Sequence, residues 1–145
     1  MNITSTQNPL IKKIALLSEK SRERKKQGLC VVEGAREIRL ALQGSYTLEN
    51  LLYQSDIFSE KQLTELLGYT AQKVTPITIS KEVYEKISYR SSTEGVIALV
   101  QVKKHGLDTL MFKNKKPLLL VAEAPEKPGN IGALLRTLRD RKSVV

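Results

Sequence analysis

Sulfur and imidazole are nearly missing from this 145-residue chain, which holds one cysteine and one histidine. A single cysteine forbids an intramolecular disulfide. Its apolar neighbours Leu29, Val31 and Val32 mark Cys30 as a buried small hydrophobe rather than a nucleophile. His105, beside Gly106 in a basic connector, reads as a solvent-exposed loop residue rather than as part of a Ser/His catalytic arrangement or a His-based metal site. No run approaches the roughly 18 apolar residues of a membrane span, and the N-terminus lacks the apolar core of a signal peptide. The expected compartment is cytoplasmic, with no membrane partner. Internal repeats and low-complexity tracts are also absent.

Charge, by contrast, is abundant and uneven. The formal net charge is +9, and hydrophobic residues make up 41% of the chain, compatible with a real core. Residues 1–28 hold Lys12, Lys13, Lys20, Arg22, Arg24, Lys25 and Lys26 against Glu19 and Glu23, so more than half of the excess lies in the first fifth. A local basic cluster beside a nearly neutral body suits a polyanion, with binding that weakens steeply in salt. Taken alone, a solvated helix end is the plainer reading of such a run.

Segments of helix period alternate with short β-rich segments, which predicts α/β organisation. Asn8 as N-cap and Pro9 at the first helical position open a helix striped by Leu10, Ile14 and Leu17 and expected to run into the basic stretch ending near Gly28. Leu29–Glu33 follows as a strand, then a helix with Ala35, Ile38, Ala41 and Leu42 that Gly44 closes. Leu48–Tyr53 is a second strand, and Ser59 with Gln62 forms a capping box for a helix carrying Leu63, Leu66 and Leu67. Residues 74–79 read as a third strand, pushed to a sheet edge by Pro76. Ser80 caps a helix with Val83, Tyr84 and Ile87, and Gly95–Val100 is an apolar strand expected to be central. Residues 103–116 read as a linker, Pro117–Ala122 as a buried parallel strand, and Asn130 as the N-cap of a last helix with Ile131, Leu134, Leu135 and Leu138 on one face.

The decapeptide Pro128-Gly129-Asn130-Ile131-Gly132-Ala133-Leu134-Leu135-Arg136-Thr137 resembles the first motif of the SpoU (TrmH-type) branch of the SPOUT RNA 2'-O-methyltransferases, roughly Pro-x-Asn-x-Gly-Ala-x-x-Arg-Thr, at every fixed position. Arg22-x-Arg24 through Gly28 to Val32-Glu33-Gly34, and the later Thr93-Glu94-Gly95-Val96-Ile97-Ala98, are similar to the signatures of that family's L30e-like RNA-binding domain. The resemblance implies an α/β chain with an L30e-like domain over 1–102, a linker over 103–116, and over 117–145 the first strand and helix of a trefoil-knot SPOUT domain, truncated after its first motif. Two further family motifs, which form the loops around S-adenosylmethionine and much of the dimer interface, are not in this sequence.

The activity implied is S-adenosylmethionine-dependent methylation of a ribose 2'-OH in rRNA or tRNA. A full-length member is expected to be a homodimer, whereas this chain alone is expected neither to bind the cofactor nor to be active. Arg136, with Asn130, is the catalytic candidate. A guanidinium with a pKa above about 12 is a poor base, so Arg136 suits stabilising the developing alkoxide and orienting a phosphate. Arg22, Arg24, Lys25 and Lys26 are candidate phosphate contacts. Glu33-Gly34 would offer close approach of an RNA backbone at a helix start, or simply a tight strand-helix turn. Arg36 could add a phosphate contact, and Tyr89 with Arg90 a stacking surface for a base. The alternative is a non-enzymatic L30e/L7Ae-like RNA-binding protein. Residues 1–102 suit both readings, whereas 117–137 favour the enzyme family.

Overall fold

In the computed structural model, residues 2–89, 94–112, 115, 119–123 and 127–140 are described, with backbone alone at 128 and 138–140. The Asn8 side chain accepts the Leu10 N–H at 2.9 Å, and Pro9, with no N–H to satisfy, takes the first helical position. Helix α1 (Pro9–Glu19) buries Ile11, Ile14 and Leu17. It does not continue through the basic stretch as expected. Lys20 takes extended backbone (φ −109, ψ 106), and a separate helix α2 (Ser21–Gln27) follows, closed by left-handed Gly28. The break satisfies groups that a helix end leaves bare. Arg24 Nη1 donates to the carbonyls of Leu17 at 2.7 Å and Ser18 at 3.0 Å, in the last turn of α1.

Strand β2 (Leu29–Glu33), helix α3 (Ala35–Gln43) and strand β3 (Leu48–Tyr53) come next. Helix α4 (Glu60–Leu67) opens on a complete capping box: Ser59 N–H donates to Gln62 Oε1 at 2.9 Å, and Gln62 N–H to Ser59 Oγ at 3.4 Å. Strand β4 (Ile77–Ile79) leads to helix α5 (Lys81–Ile87), capped by Ser80, and then to β5 (Val96–Gln101). One strand was not expected, β1 (Asn2–Ile3).

The sheet order is β1-β4-β3-β5-β2, parallel among β1, β4 and β3 and antiparallel on both sides of β5. The third strand is therefore interior rather than an edge, because β1 pairs outside it (Asn2 with Thr78, Ile3 with Ile79). Pro76 precedes this shortened strand, so its missing N–H costs the ladder nothing.

Alternation along the strands divides the core between the two faces. Val31, Leu52 and Ile97 pack with Ile11, Ile14, Val83 and Tyr84 of α1 and α5, and Leu29 and Leu99 close that face around Leu17. Val32, Leu51, Ala98 and Val100 pack with Ile38, Leu42, Leu63 and Leu66 of α3 and α4. Val96 to Val100 are fully buried, which fits an internal strand covered on both faces.

The chain folds as two units, Met1–Lys104 and His105–Val145. The second carries a 3₁₀ turn at Leu107–Thr109 and helix α6 (Pro128–Asp140). Asn130 is not its N-cap. The helix starts two residues earlier, where the fixed φ of Pro128 suits a first position, and the Lys127 carbonyl accepts the N–H groups of Asn130 (3.0 Å) and Ile131 (3.4 Å). Of the strand expected over 117–122, residues 117 and 118 lie outside the described residues, and 119–122 form no regular element. A buried parallel strand needs a ladder partner, and the described residues of this unit contain no strand.

Candidate nucleic-acid interface

Because β2 alternates, Glu33 falls on the face covered by α1 and α5 rather than on an outer surface. There its carboxylate ties three segments together. Oε1 accepts the Tyr84 hydroxyl at 3.3 Å, and Oε2 accepts the Tyr89 N–H at 2.7 Å. Tyr84 Oη in turn accepts the Gly95 N–H at 2.9 Å, in a buried setting. Both Glu33 oxygens thus serve the α5–β5 connection. Gly34, next in the chain, is buried; a Cβ there would lie 2.6 Å from Glu37 Oε2 and 3.6 Å from Glu94 Oε2. Two carboxylates already face the start of α3, which disfavours a phosphate at that point.

The cationic candidates separate into two sets. Arg22, Lys25 and Lys26 are exposed on α2, whereas Arg24 is half-buried and committed to the α1 carbonyls. Arg36 is exposed at the start of α3, beyond the opposite end of β2, and so does not extend the α2 cluster. It lines a cleft of about 360 Å³ with Arg39, Gln62, Glu65 and Tyr69, where the Arg39 guanidinium sits 5.7 Å from the centre of the Tyr69 ring. That pairing of α3 with the end of α4 has no local sequence signal. Arg90 lies outside the described residues. Tyr89 stands 70% exposed beside Glu33.

A larger cleft, about 580 Å³, runs along the edge strand β2 between the C-terminal ends of α1 and α5. Arg24, Glu33 and Tyr89 all line it, as do Lys86 and Ser88, which the sequence reading did not single out. Cys30 lines it too; burial pushes its thiol pKa up, partly offset by the nearby Arg24 charge, so the group stays a neutral thiol rather than a nucleophile. His105 is exposed, and the described residues hold no cluster of His, Cys, Asp and Glu able to bind a metal. No described helix is long and apolar enough to cross a membrane.

The two catalytic candidates lie on α6, both exposed. Six residues apart on a helix, they stand about 9 Å apart along the axis and about 120° apart around it. The Arg136 side chain folds back along its helix, its Nη1 lying 3.6 Å from where a Cβ on Gly132 would be. Neither residue lines either cleft. Residues presented openly on one helix do not fit an adenosyl cofactor, which needs a walled, largely apolar site.

Comparison with known proteins places this architecture. Residues 8–98 match the MRM3-like substrate binding domain family. An uncharacterized tRNA/rRNA methyltransferase of Synechocystis sp. is 30% identical over 139 residues, covering 94% of this chain and 48% of the relative. A crystal structure of an RNA 2'-O ribose methyltransferase superposes with a TM-score of 0.73 at 35% identity, over 97% of this chain and 52% of that one. The SpoU methyltransferase AviRb from Streptomyces viridochromogenes, solved in complex with the cofactor AdoMet, shares the fold with a TM-score of 0.72 at 21% identity, over 91% of this chain and 49% of its own. The fold is thus that of SpoU methyltransferases, an α/β architecture around a mixed sheet. The chain belongs to the MRM3-like substrate binding domain family, matched over residues 8–98, and the relatives it resembles are RNA methyltransferases. It spans about half the length of the relatives it matches.

Proposed function

We propose that this chain is the RNA-binding part of an S-adenosylmethionine-dependent ribose 2'-O-methyltransferase acting on rRNA or tRNA. Residues 1–102 act as an L30e-like substrate-binding domain, 103–116 as a connector, and 117–145 as the start of a trefoil-knot catalytic domain. The observation that carries this reading is the substrate-binding match over 8–98. The exposed cations Arg22, Lys25 and Lys26 on α2 supply its chemistry, neutralising phosphates and fixing register while the target's shape or unpaired bases supply selectivity. Glu33 and Gly34 then position the α5–β5 connection rather than touching RNA. Arg136 and Asn130 belong to the methyl-transfer site of the complete enzyme. The cofactor of the complete enzyme is held by motifs that follow the first one in family members. The complete enzyme works as a homodimer in the cytoplasm.

The test is the salt dependence of binding to structured RNA. Replacing Arg22, Lys25 and Lys26 by alanine should weaken binding and lower the slope of log K against log salt by roughly 0.7–0.9 per lost phosphate contact. Arg24 stays in place, because its removal would disturb α1. An unchanged slope in the triple variant would move the RNA site off α2.

A further inference from the structure

We propose that the cleft between the C-terminal ends of α1 and α5 seats one unpaired nucleobase of the bound RNA, stacked on Tyr89 and hydrogen-bonded at its edge by Ser88. This rests on the RNA-binding reading above and assigns it a specific subsite. The cleft's volume, about 580 Å³, falls within the range of small-ligand sites, roughly 300–1,000 Å³. Its apolar walls come from Ala15, Leu17, Val31 and Ile87. At its rim the backbone of Tyr89 is pinned by the 2.7 Å bond to Glu33, while its side chain stays open to solvent. A fixed, exposed ring is the element that captures a splayed-out base in single-stranded RNA recognition.

Ser88 supplies a second, independent observation. Its Oγ is shielded from solvent and has no hydrogen-bond partner among the described residues, and the residue lines this cleft. A hydroxyl both donates and accepts, and leaving one buried and unpaired is costly. The edge of a nucleobase carries both kinds of complement.

Electrostatics decides between a base and a phosphate. Arg24 and Lys86 line the cleft opposite Glu19 and Glu33, so its charges balance. The C-terminal ends of α1 and α5 also converge there, and helix C-termini carry partial negative charge. A neutral, N–H-bearing heterocycle is welcome in that field, whereas a phosphate is not. The flanking phosphates fall instead to Arg22, Lys25 and Lys26 on α2, the helix that brings Arg24 to the cleft.

The experiment compares two RNAs on the full chain at fixed salt, a hairpin with a single-stranded loop and the same stem as a continuous duplex. Tyr89→Ala should weaken hairpin binding roughly 5- to 150-fold, as loss of one base–aromatic stack does, with duplex affinity unchanged. Tyr89→Phe should bind as the parent does, and Ser88→Ala should lose affinity for the hairpin only. The Tyr89 side chain is exposed, so its removal spares the core; an unchanged urea midpoint verifies this. If both alanine variants bind the hairpin as the parent does while the α2 triple variant loses it, the cleft assignment is wrong and the RNA reading stands. Equal loss on hairpin and duplex would also overturn the nucleobase. If the parent binds neither RNA, both readings fall.

Discussion

Gly95 is held where its close neighbours cannot swing aside. Its φ is +69, and a Cβ would come 2.8 Å from both Cβ and Cγ2 of Ile57 and 3.0 Å from Cβ of Phe58. Its N–H bonds Tyr84 Oη, and its carbonyl accepts the Gln54 N–H at 2.8 Å, so the backbone cannot shift aside cheaply. Gly95→Ala should destabilise the domain by roughly 2–5 kcal/mol, combining backbone strain with overpacking. Gly28→Ala is the control. Its φ of +63 is similar, but nothing lies within 4 Å of a Cβ there, so about 1 kcal/mol of strain is the expected cost. Urea unfolding of the two variants checks the difference, and equal losses would show that the contacts with Ile57 and Phe58 do not matter. The sequence marked Glu33 and Gly95 as signature residues. It could not show why, since Glu33 acts on Tyr84 and Tyr89, 51 and 56 residues away.

At the scale of elements, legibility followed locality. The helices at Asn8-Pro9, Ser59 and Ser80 announce themselves because their caps are bonds between neighbours in sequence, and the strands 29–33 and 48–53 were readable from short β-rich runs. What stayed hidden depends on distant partners. Strand β1 is two residues that form by parallel pairing with Thr78 and Ile79, with Ile3 buried in the core beyond, and the edge position inferred from Pro76 failed for the same reason. The break at Lys20 carries no Gly or Pro; its signal is Arg24, which reads as one more cation until its guanidinium is seen on the α1 carbonyls. Arg24→Ala should therefore cost about 1–2 kcal/mol and speed amide exchange at the end of α1. Arg24→Lys should recover only part of it, because both bonds leave the terminal Nη1 of the longer arginine side chain, and the shorter, more strongly hydrated lysine ammonium replaces that reach incompletely. If Arg24→Ala leaves stability untouched while lowering RNA affinity, Arg24 belongs with the phosphate contacts instead.

At the scale of the whole molecule, the two units differ in what holds them. In the first, β5 lies buried between two helical layers, and each of its larger aliphatic side chains stabilises by roughly 1.5–3 kcal/mol. In the second, Leu119, Leu120 and Val121 are exposed, and so are Ile131, Leu134 and Leu135 along the apolar stripe of α6. The motif was legible there because its spacing is local. The strand expected before it was not formed among the described residues, since an apolar run specifies burial without specifying what buries it. An unsupported helix of 13 residues is marginal in water, because nucleation is costly and packing of the apolar face normally stabilises it. Amides over 131–137 should thus exchange by local opening, orders of magnitude faster than those of Val96–Val100, which require global unfolding. Hydrogen exchange at several protein concentrations checks this. Protection in α6 equal to that of β5 at every concentration would mean that its stripe is covered within the monomer; protection that rises with concentration would mean that a second copy covers it.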